Sequence, residues 1–193
     1  MKDLFAELRA SIAVTLLLVV LCCGIYPVVV WAVGQGLFSH QANGSLVRVD
    51  GKFAGSSLLA QGFTAPNYFH PRPSAAGQGY DAASSAGTNL GPTSKKLIED
   101  VKRRIADYRT ENGLAPEARV PADAVTSSAS GLDPHISVQN AVLQAARVAK
   151  ARGIGKQDVL AKVGANTEGR TLGFLGEPRV NVLTLNLALD GKM

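Results

Sequence analysis

The chain has little cysteine and little charge for its length. Of its 193 residues only two are cysteines, Cys22 and Cys23, and they are adjacent. Neighbouring cysteines with none elsewhere exclude a disulfide framework and a cysteine-ligated zinc site. Charged residues make up 18% of the chain, below the roughly 25% of an ordinary soluble domain. The formal net charge of +5 is not gathered in one run, so the composition does not indicate a nucleic-acid-binding protein.

Charge is missing altogether from one long segment near the N-terminus. No Lys, Arg, Asp or Glu occurs between Ala10 and Val47, and residues 12–33 are apolar except for one Thr, one Gly and Pro27. A helix over 12–33 would rise about 33 Å, which matches the roughly 30 Å hydrocarbon core of a membrane. The segment therefore predicts one transmembrane helix, with a kink where Pro27 removes a backbone donor.

The basic residues near this segment tie in number, two on each side, so only their distance from the segment indicates an orientation. Lys2 and Arg9 precede the apolar run closely, whereas the next basic residue, Arg48, lies well beyond its other end. Since basic residues close to a span tend to stay in the cytoplasm, this pattern favours cytoplasmic residues 1–11 and an extracytoplasmic globular domain over 34–193.

Two other interpretations of the apolar segment stay open. A secretory signal peptide would be cleaved at the small-x-small sequence 32–34, although the run exceeds the about 7–15 residues usual in such signals. A lipoprotein signal would end at Cys22, but Leu21 precedes it where a small residue is expected. Cleavage would release a secreted binding module, whereas retention would leave a membrane-anchored protein.

The rest of the chain predicts a domain of mixed α/β (α+β) class. Alternation over 45–50 with Asp50-Gly51 predicts a strand and a tight turn, and residues 53–63 form a strand or a short helix. Residues 180–189 fit either a strand or a helix that Asn181 would cap. The helical patterns are residues 94–112 after a cap at Thr93 or Ser94, residues 137–153 with Ser137 as cap and Val142 among the buried positions, and residues 156–163.

Two long segments carry no helix or strand pattern. Residues 64–93 and 114–134 are rich in proline, glycine and small polar side chains. Segments of this length inside a compact domain are either disordered or functional loops. The aromatic residues and the rigid His-Pro-Arg-Pro sequence of residues 70–73 favour an ordered surface loop.

The sequence contains no complete catalytic motif. A phosphate-binding loop is absent, since Gly155-Lys156 is followed by Gln157, and Gly-x-Ser-x-Gly does not occur. A membrane-anchored hydrolase would need a nucleophile and a base, which cannot be assembled from these motifs. A metal site or acid–base pair would have to come from loop residues whose spacing matches no common ligand pattern, namely His70, His135, Asp81 and Asp133.

Four stretches of the chain resemble one family closely. They are residues 68–74 (YFHPRPS) with 79–81, residues 85–92 (SAGTNLGP), residues 121–137 with the sequence SGLDPHIS at their end, and residues 169–183 (GRTLGFLGEPRVNVL). In order, spacing and the single N-terminal span, the chain resembles the C subunit of the Kdp-type high-affinity potassium-transporting ATPase.

This resemblance implies a non-catalytic subunit of the inner membrane. Its partners would be a polytopic potassium-translocating subunit, a P-type ATP-hydrolysing subunit and a small single-span subunit, and potassium would be the ion that the complex moves. The resemblance also implies a chaperone-like role that raises the ATP affinity of the ATP-hydrolysing subunit. The residues themselves predict no cofactor, so ATP enters only through the family.

The loops over residues 64–93 and 121–137 are the predicted docking surface for the potassium-translocating subunit. Rigid prolines, small residues and a few aromatic and charged side chains are typical of interface loops. The alternative is that these loops pack only on their own domain. The candidate docking residues are Tyr68, Phe69, His70, Arg72, Tyr80, Asn89, Asp133 and His135.

Overall fold

The computed structural model describes residues 2–192, apart from the side chains of residues 2 and 3. The chain divides into two compact units, one ending at Leu46 and the other beginning at Val47. The helices are α1 (Lys2–Val19), α2 (Tyr26–Leu37), α3 (Ser39–Ala42), α4 (Lys95–Glu111), α5 (Ala122–Val125), α6 (Val138–Arg152), α7 (Lys156–Ala165) and α8 (Val182–Leu189). The strands are β1 (Leu46–Val49), β2 (Lys52–Ser56), β3 (His135–Ser137), β4 (Thr167–Glu168) and β5 (Arg179–Asn181).

The first unit is dominated by one long apolar helix. Helices α1 and α2 join through a π-helical segment, Val20–Ile25, and together Leu4–Leu37 is long and apolar enough to cross a membrane. The Tyr26 N–H bonds to the Leu21 carbonyl, five residues back, just before the proline at position 27. The chain stays helical through Pro27, and the irregular backbone is the π-helical segment before it, so the kink at Pro27 stays a prediction.

The second unit begins with a hairpin. Strands β1 and β2 pair with each other. The residues between them, Asp50 and Gly51, both have positive φ angles, 49° and 76°. This is the geometry of the two-residue turns that fit the right-handed twist of a hairpin, so the predicted Asp-Gly turn is confirmed. The apolar stretch predicted over 53–63 is strand only as far as Ser56.

A small sheet and three helices form the core of the second unit. Strand β5 lies between β3 and β4, antiparallel to both, with Ile136 opposite Val180. Helix α6 packs on α7, and α7 packs on α8. The mixed α/β class is confirmed. The core cluster consists of Phe69, Ile136, Ala141, Ala145, Val148, Ala149, Val159, Val163, Val180, Val182 and Leu185.

The helix boundaries follow the capping residues that the sequence contains. Ser94 accepts a hydrogen bond from the N–H of Leu97, and Ser137 accepts one from Asn140, so both caps are confirmed. Asn181 caps α8 through the N–H of Thr184, which makes residues 182–189 a helix after a three-residue strand. Of the two structures that the sequence allowed for residues 180–189, the helix capped by Asn181 is therefore the one present over 182–189.

Two predictions about this unit were wrong. Val142 was expected in the core, but it is 41% exposed, and the adjacent polar residue Gln144 is buried. The segment 114–134 was expected to be a loop throughout, but it contains the single-turn helix α5.

Candidate functional site

The two predicted loops lie against each other and form one surface, the loop platform, defined as residues 64–93 and 121–137. The Ser74 hydroxyl donates to the Gly131 carbonyl at 2.7 Å. The backbone N–H of Ala86 and the hydroxyl of Ser85 both donate to the Ser130 carbonyl, each at 3.0 Å. These contacts join segments far apart in sequence, so the platform is a tertiary feature.

Two glycines allow the loops of the platform to approach this closely. A Cβ atom added at Gly131 would lie 2.6 Å from the Ala86 carbonyl oxygen, and one at Gly87 would lie 2.8 Å from the carbonyl oxygen of Ala129. Gly131 also has a φ angle of 67°, which favours glycine. A larger residue at either position would push the two loops apart.

A cluster of charged and polar side chains, here called the base of the platform, joins the two loops. Arg72 Nη1 lies 2.9 Å from Asp133 Oδ2, and the backbone N–H of His135 donates to Asp133 Oδ1 at 3.0 Å. Burial raises the pKa of Asp133, but hydrogen bonds from His135 and then from Arg72 outweigh it and lower that pKa to about 2. Tyr80 adds a hydrogen bond from its hydroxyl to the Arg72 carbonyl at 2.9 Å.

Two buried side-chain amides, one on α6 and one on α8, bind the backbone of the platform. Asn186 accepts from the N–H of Phe69 at 2.8 Å and donates to its carbonyl at 3.0 Å. Gln144 does the same for His70, at 2.8 and 3.1 Å. Each amide therefore satisfies both backbone groups of one loop residue, as a neighbouring strand would. The sequence analysis did not identify Gln144 or Asn186; the signal was a polar residue on the apolar face of each helix.

Two arginines of α6 hold the start of the same loop. Arg147 Nη1 donates to the carbonyls of Pro66 and Tyr68 at 2.7 and 2.9 Å. Arg152 Nε donates to the backbone carbonyl of Asn67 at 2.7 Å. Arg152 also pairs with Asp190 at 2.8 Å. Charged donors make the stronger class of hydrogen bond, so residues 66–68 are firmly attached to α6.

A cleft of about 390 Å³ lies beside the platform and contains several titratable groups. On its wall, His70 Nδ1 lies 2.8 Å from Glu111 Oε1, and the hydrogen bond with His70 lowers the pKa of Glu111. The Tyr108 hydroxyl donates to Asn140 Oδ1 at 2.8 Å, and burial and then Asp123 raise its pKa. These groups are engaged in structural contacts and do not form a nucleophile–base pair.

The metal-site alternative finds no support in the part of the chain that the structure describes. Within residues 2–192, no group of three or more His, Cys, Asp or Glu side chains could hold a metal ion. His70 pairs with Glu111, and the ring of His135 lies 3.6 Å from Asp133 and 3.7 Å from Glu168.

The structure divides the eight candidate docking residues into groups. It brings Arg72, Tyr80, Asp133 and His135 together at the base of the platform, and it places Tyr68, Phe69 and His70 against α6 and α8. All these side chains are buried or half-buried, and Phe69 has 0% of its surface exposed, so it packs inside the domain. Asn89 is the exposed member, with a φ angle of 51°.

Comparison with known proteins gives a consistent result. The sequence model of the family described as KdpC, K⁺-transporting ATPase, c chain, matches residues 8–191. The chain is 56% identical over 184 residues to the potassium-transporting ATPase KdpC subunit of Mycobacterium tuberculosis strain H37Rv, covering 95% of this chain and 97% of the relative.

Other bacteria have similar proteins of the same name. The identity is 55% over 185 residues with Nitratidesulfovibrio vulgaris, covering 94% of this chain and 92% of the relative. It is 48% over 185 residues with Koribacter versatilis, covering 96% and 94%. The match extends over the apolar helix, the platform and the C-terminal sheet and helix together. The chain therefore belongs to the KdpC family, the c chain of K⁺-transporting ATPases.

Proposed function

We propose that the chain is a non-catalytic accessory subunit that assembles and stabilises an ATP-driven potassium uptake complex. The observation that carries this proposal is the loop platform: two long loops are fixed to each other and to α6 and α8, yet they surround no catalytic group. Fixing loops in one conformation lowers the entropic cost of binding a partner. The partners are a potassium-translocating subunit, a P-type ATP-hydrolysing subunit and a small single-span subunit.

The exposed edge of the platform is the proposed contact with the potassium-translocating subunit. Exposed residues such as Thr88 and Asn89 form this edge, next to Gly87, which lies against the backbone of Ala129 in the second loop. The net charge of +5 would repel rather than attract potassium, which favours a positioning role over attraction of the ion.

The docking role is tested by substituting exposed residues of the edge while the Arg72–Asp133 pair and the other contacts within the domain stay intact. Thr88→Arg combined with Asn89→Gly changes the surface, and Gly tolerates the positive φ at position 89. The control is Lys96→Ala with Arg103→Ala on the exposed face of α4. We expect the edge variant to co-purify with the potassium-translocating subunit about tenfold less well, which corresponds to about 1.4 kcal/mol, and the control to behave like the wild type.

Alanine variants of Tyr68 and Arg72 would be poor tests of docking. The Tyr68 hydroxyl donates to Asp190 at 3.1 Å, and Arg72 pairs with Asp133, so both changes would loosen the domain itself. Equal co-purification of the edge variant and the wild type, with unchanged thermal unfolding, would contradict docking at this surface.

The proposed topology has the N-terminus in the cytoplasm, a span over 12–33 in the inner membrane, and residues 34–193 outside. It is supported by the apolar helix and by Lys2 and Arg9 close to its start. In a background with Cys22 and Cys23 replaced by Ala, an exposed Lys96→Cys, which lies outside the proposed docking surface, should react with an impermeant thiol reagent in intact cells. The control, Glu7→Cys, should react only after lysis; the reverse pattern would contradict this topology.

The chaperone-like effect on ATP affinity belongs to the assembled complex in this proposal. The chain lacks a phosphate-binding loop, and the proposed topology separates residues 34–193 from cytoplasmic ATP. We expect the full chain in detergent to bind ATP weakly or not at all in calorimetry. Micromolar binding that one substitution in the globular unit abolishes would contradict this assignment.

A further inference from the structure

The strongest exposed apolar feature of the second unit lies away from the loop platform, in the turn between β4 and β5. Residues 170–177, here named the knob, carry Leu172, Phe174 and Leu175 with 79%, 69% and 49% of their surfaces exposed. None of these three neighbouring side chains belongs to the buried core of the domain. Exposed apolar clusters of this kind mark interaction sites.

The knob is held in one shape by its own backbone. Thr171 and Leu175 exchange both of their backbone hydrogen bonds, each at 2.9 Å, and the Gly173 N–H donates to the Arg170 carbonyl at 3.0 Å. Leu172 has a φ angle of 55°, a left-handed conformation that is costly for a residue with a branched side chain. Leu172 is also the most exposed of the three apolar residues, so burial of its side chain does not offset this strain.

The charges around the knob form pairs of opposite sign. Arg170 lies 2.9 Å from Glu177, and Arg179 lies 2.9 Å from Glu168. The apolar tip is therefore surrounded by a polar rim without net charge from these four groups. An apolar centre within a polar rim is the usual composition of a protein interface.

We infer that the knob inserts into an apolar pocket on another subunit of the potassium transport complex. This inference rests on the proposed role in assembly and adds a second contact, separate from the platform. Protein is favoured over lipid as the occupant because both rim arginines are already paired with carboxylates and leave no cation for anionic headgroups. A fixed, strained shape also benefits binding to a shaped pocket, whereas a fluid bilayer does not require one.

A second copy of this chain is a poorer match for the knob. The cleft beside the platform contains Asp107 and Glu111, and a second cleft of the globular unit contains Arg147 and Lys150. Placing leucine and phenylalanine side chains against these charged groups would remove them from water without adding a hydrogen bond. A partner of different composition, with an apolar pocket, is required.

The test compares two matched pairs of exposed residues in the full chain. Leu172→Asn with Phe174→Ser removes the tip, and asparagine tolerates the left-handed backbone. The control, Leu58→Asn with Phe53→Ser, makes the same changes at residues that are 58% and 60% exposed. We expect the knob variant to be retained in the purified complex at least tenfold less than wild type, with unchanged thermal unfolding, and the control to be retained normally.

A photoreactive benzoylphenylalanine in place of Phe174 supplies a second readout. An adduct with a peptide of another subunit of the complex, identified by mass spectrometry, supports the inference even if the double variant folds poorly. An adduct only with lipid, an adduct only with another copy of this chain, or no adduct overturns it, as does normal retention of a folded knob variant. If the wild-type chain itself fails to co-purify with any other subunit, the proposed assembly role fails instead.

Discussion

The loop platform and the knob both consist largely of turns and irregular backbone, but their aromatic and charged residues differ in exposure. In the platform, Phe69 is buried and Arg72 pairs with the half-buried carboxylate of Asp133. In the knob, Phe174 is exposed and Arg170 pairs with Glu177 at the rim. The same residue types therefore stabilise the domain in one loop and are available to a partner in the other.

The reason for the difference lies in what each loop contacts. The platform exchanges hydrogen bonds with the buried amides of Gln144 and Asn186, and its Tyr68 carbonyl accepts one from Arg147. The knob closes on itself through the Thr171–Leu175 bridge. A loop that is attached to the core directs its large side chains inward, whereas one that is closed by its own backbone can direct them outward.

The largest expected effect separates the two phenylalanines. Phe69→Ala should lower the free energy of unfolding by about 3–5 kcal/mol, because it leaves a cavity in the core cluster. Phe174→Ala should lower it by less than about 0.5 kcal/mol, since the ring is exposed. Chemical denaturation of the full chain in detergent, followed by circular dichroism, measures both. Similar losses for the two variants would remove the distinction between the loops.

The two arginine–carboxylate pairs should differ in the same direction. Both have N–O distances of 2.9 Å, but the Arg72–Asp133 pair is half-buried and the Arg170–Glu177 pair is exposed. Arg72→Gln should cost about 1–3 kcal/mol, because it leaves a partly buried carboxylate without its partner. Arg170→Gln should cost about 0–1 kcal/mol. The same denaturation experiment tests this pair, and a larger loss for Arg170→Gln would contradict the comparison.

Acid should weaken the platform through Asp133. Its pKa is lowered to about 2 in the folded protein, so its contribution to stability is present above its ordinary pKa and is lost as the pH falls from about 4 to about 2. We expect a loss of about 2 kcal/mol over this interval. Asp133→Asn should be less stable than wild type at neutral pH and should show a smaller decrease on acidification. Identical acid profiles for the two proteins would show that Asp133 does not carry this dependence.

The smallest effect concerns the strained leucine of the knob. Leu172→Gly removes the left-handed strain and should leave stability unchanged or raise it by up to about 1 kcal/mol. The same change removes apolar surface, so retention in the complex should decrease while the melting temperature does not. A clear fall in melting temperature would mean that Leu172 contributes to folding, which would argue against an outward-facing role.

Local chemistry made several elements predictable from the sequence. The helix caps Ser94 and Ser137 and the Asp50-Gly51 turn act over three or four residues, so the sequence alone contains the determining contacts. The apolar helix could be predicted for a similar reason, since its length and lack of charge are properties of one continuous segment. The four resembling stretches predicted the family, which the match over residues 8–191 confirmed.

The roles of the loop residues could not be predicted in the same way. Composition placed Phe69 among the docking residues, but its backbone is bound by Asn186, more than a hundred residues later, and its ring lies in the core. The exposure of the knob could not be predicted, because nothing in the sequence distinguishes an exposed Leu-Gly-Phe-Leu tip from a buried one. The docking surface itself stays a prediction.

The sequence by itself determined the apolar helix, the capped helices, the hairpin turn and the family, because each depends on a continuous run of residues. Only the tertiary structure decided that residues 64–93 and 121–137 form one surface, that Gln144 and Asn186 hold it, and that 170–177 remains exposed. These features depend on contacts between distant segments. A buried amide or arginine can select any backbone group that the fold brings within hydrogen-bonding distance, and no local pattern records which group that is.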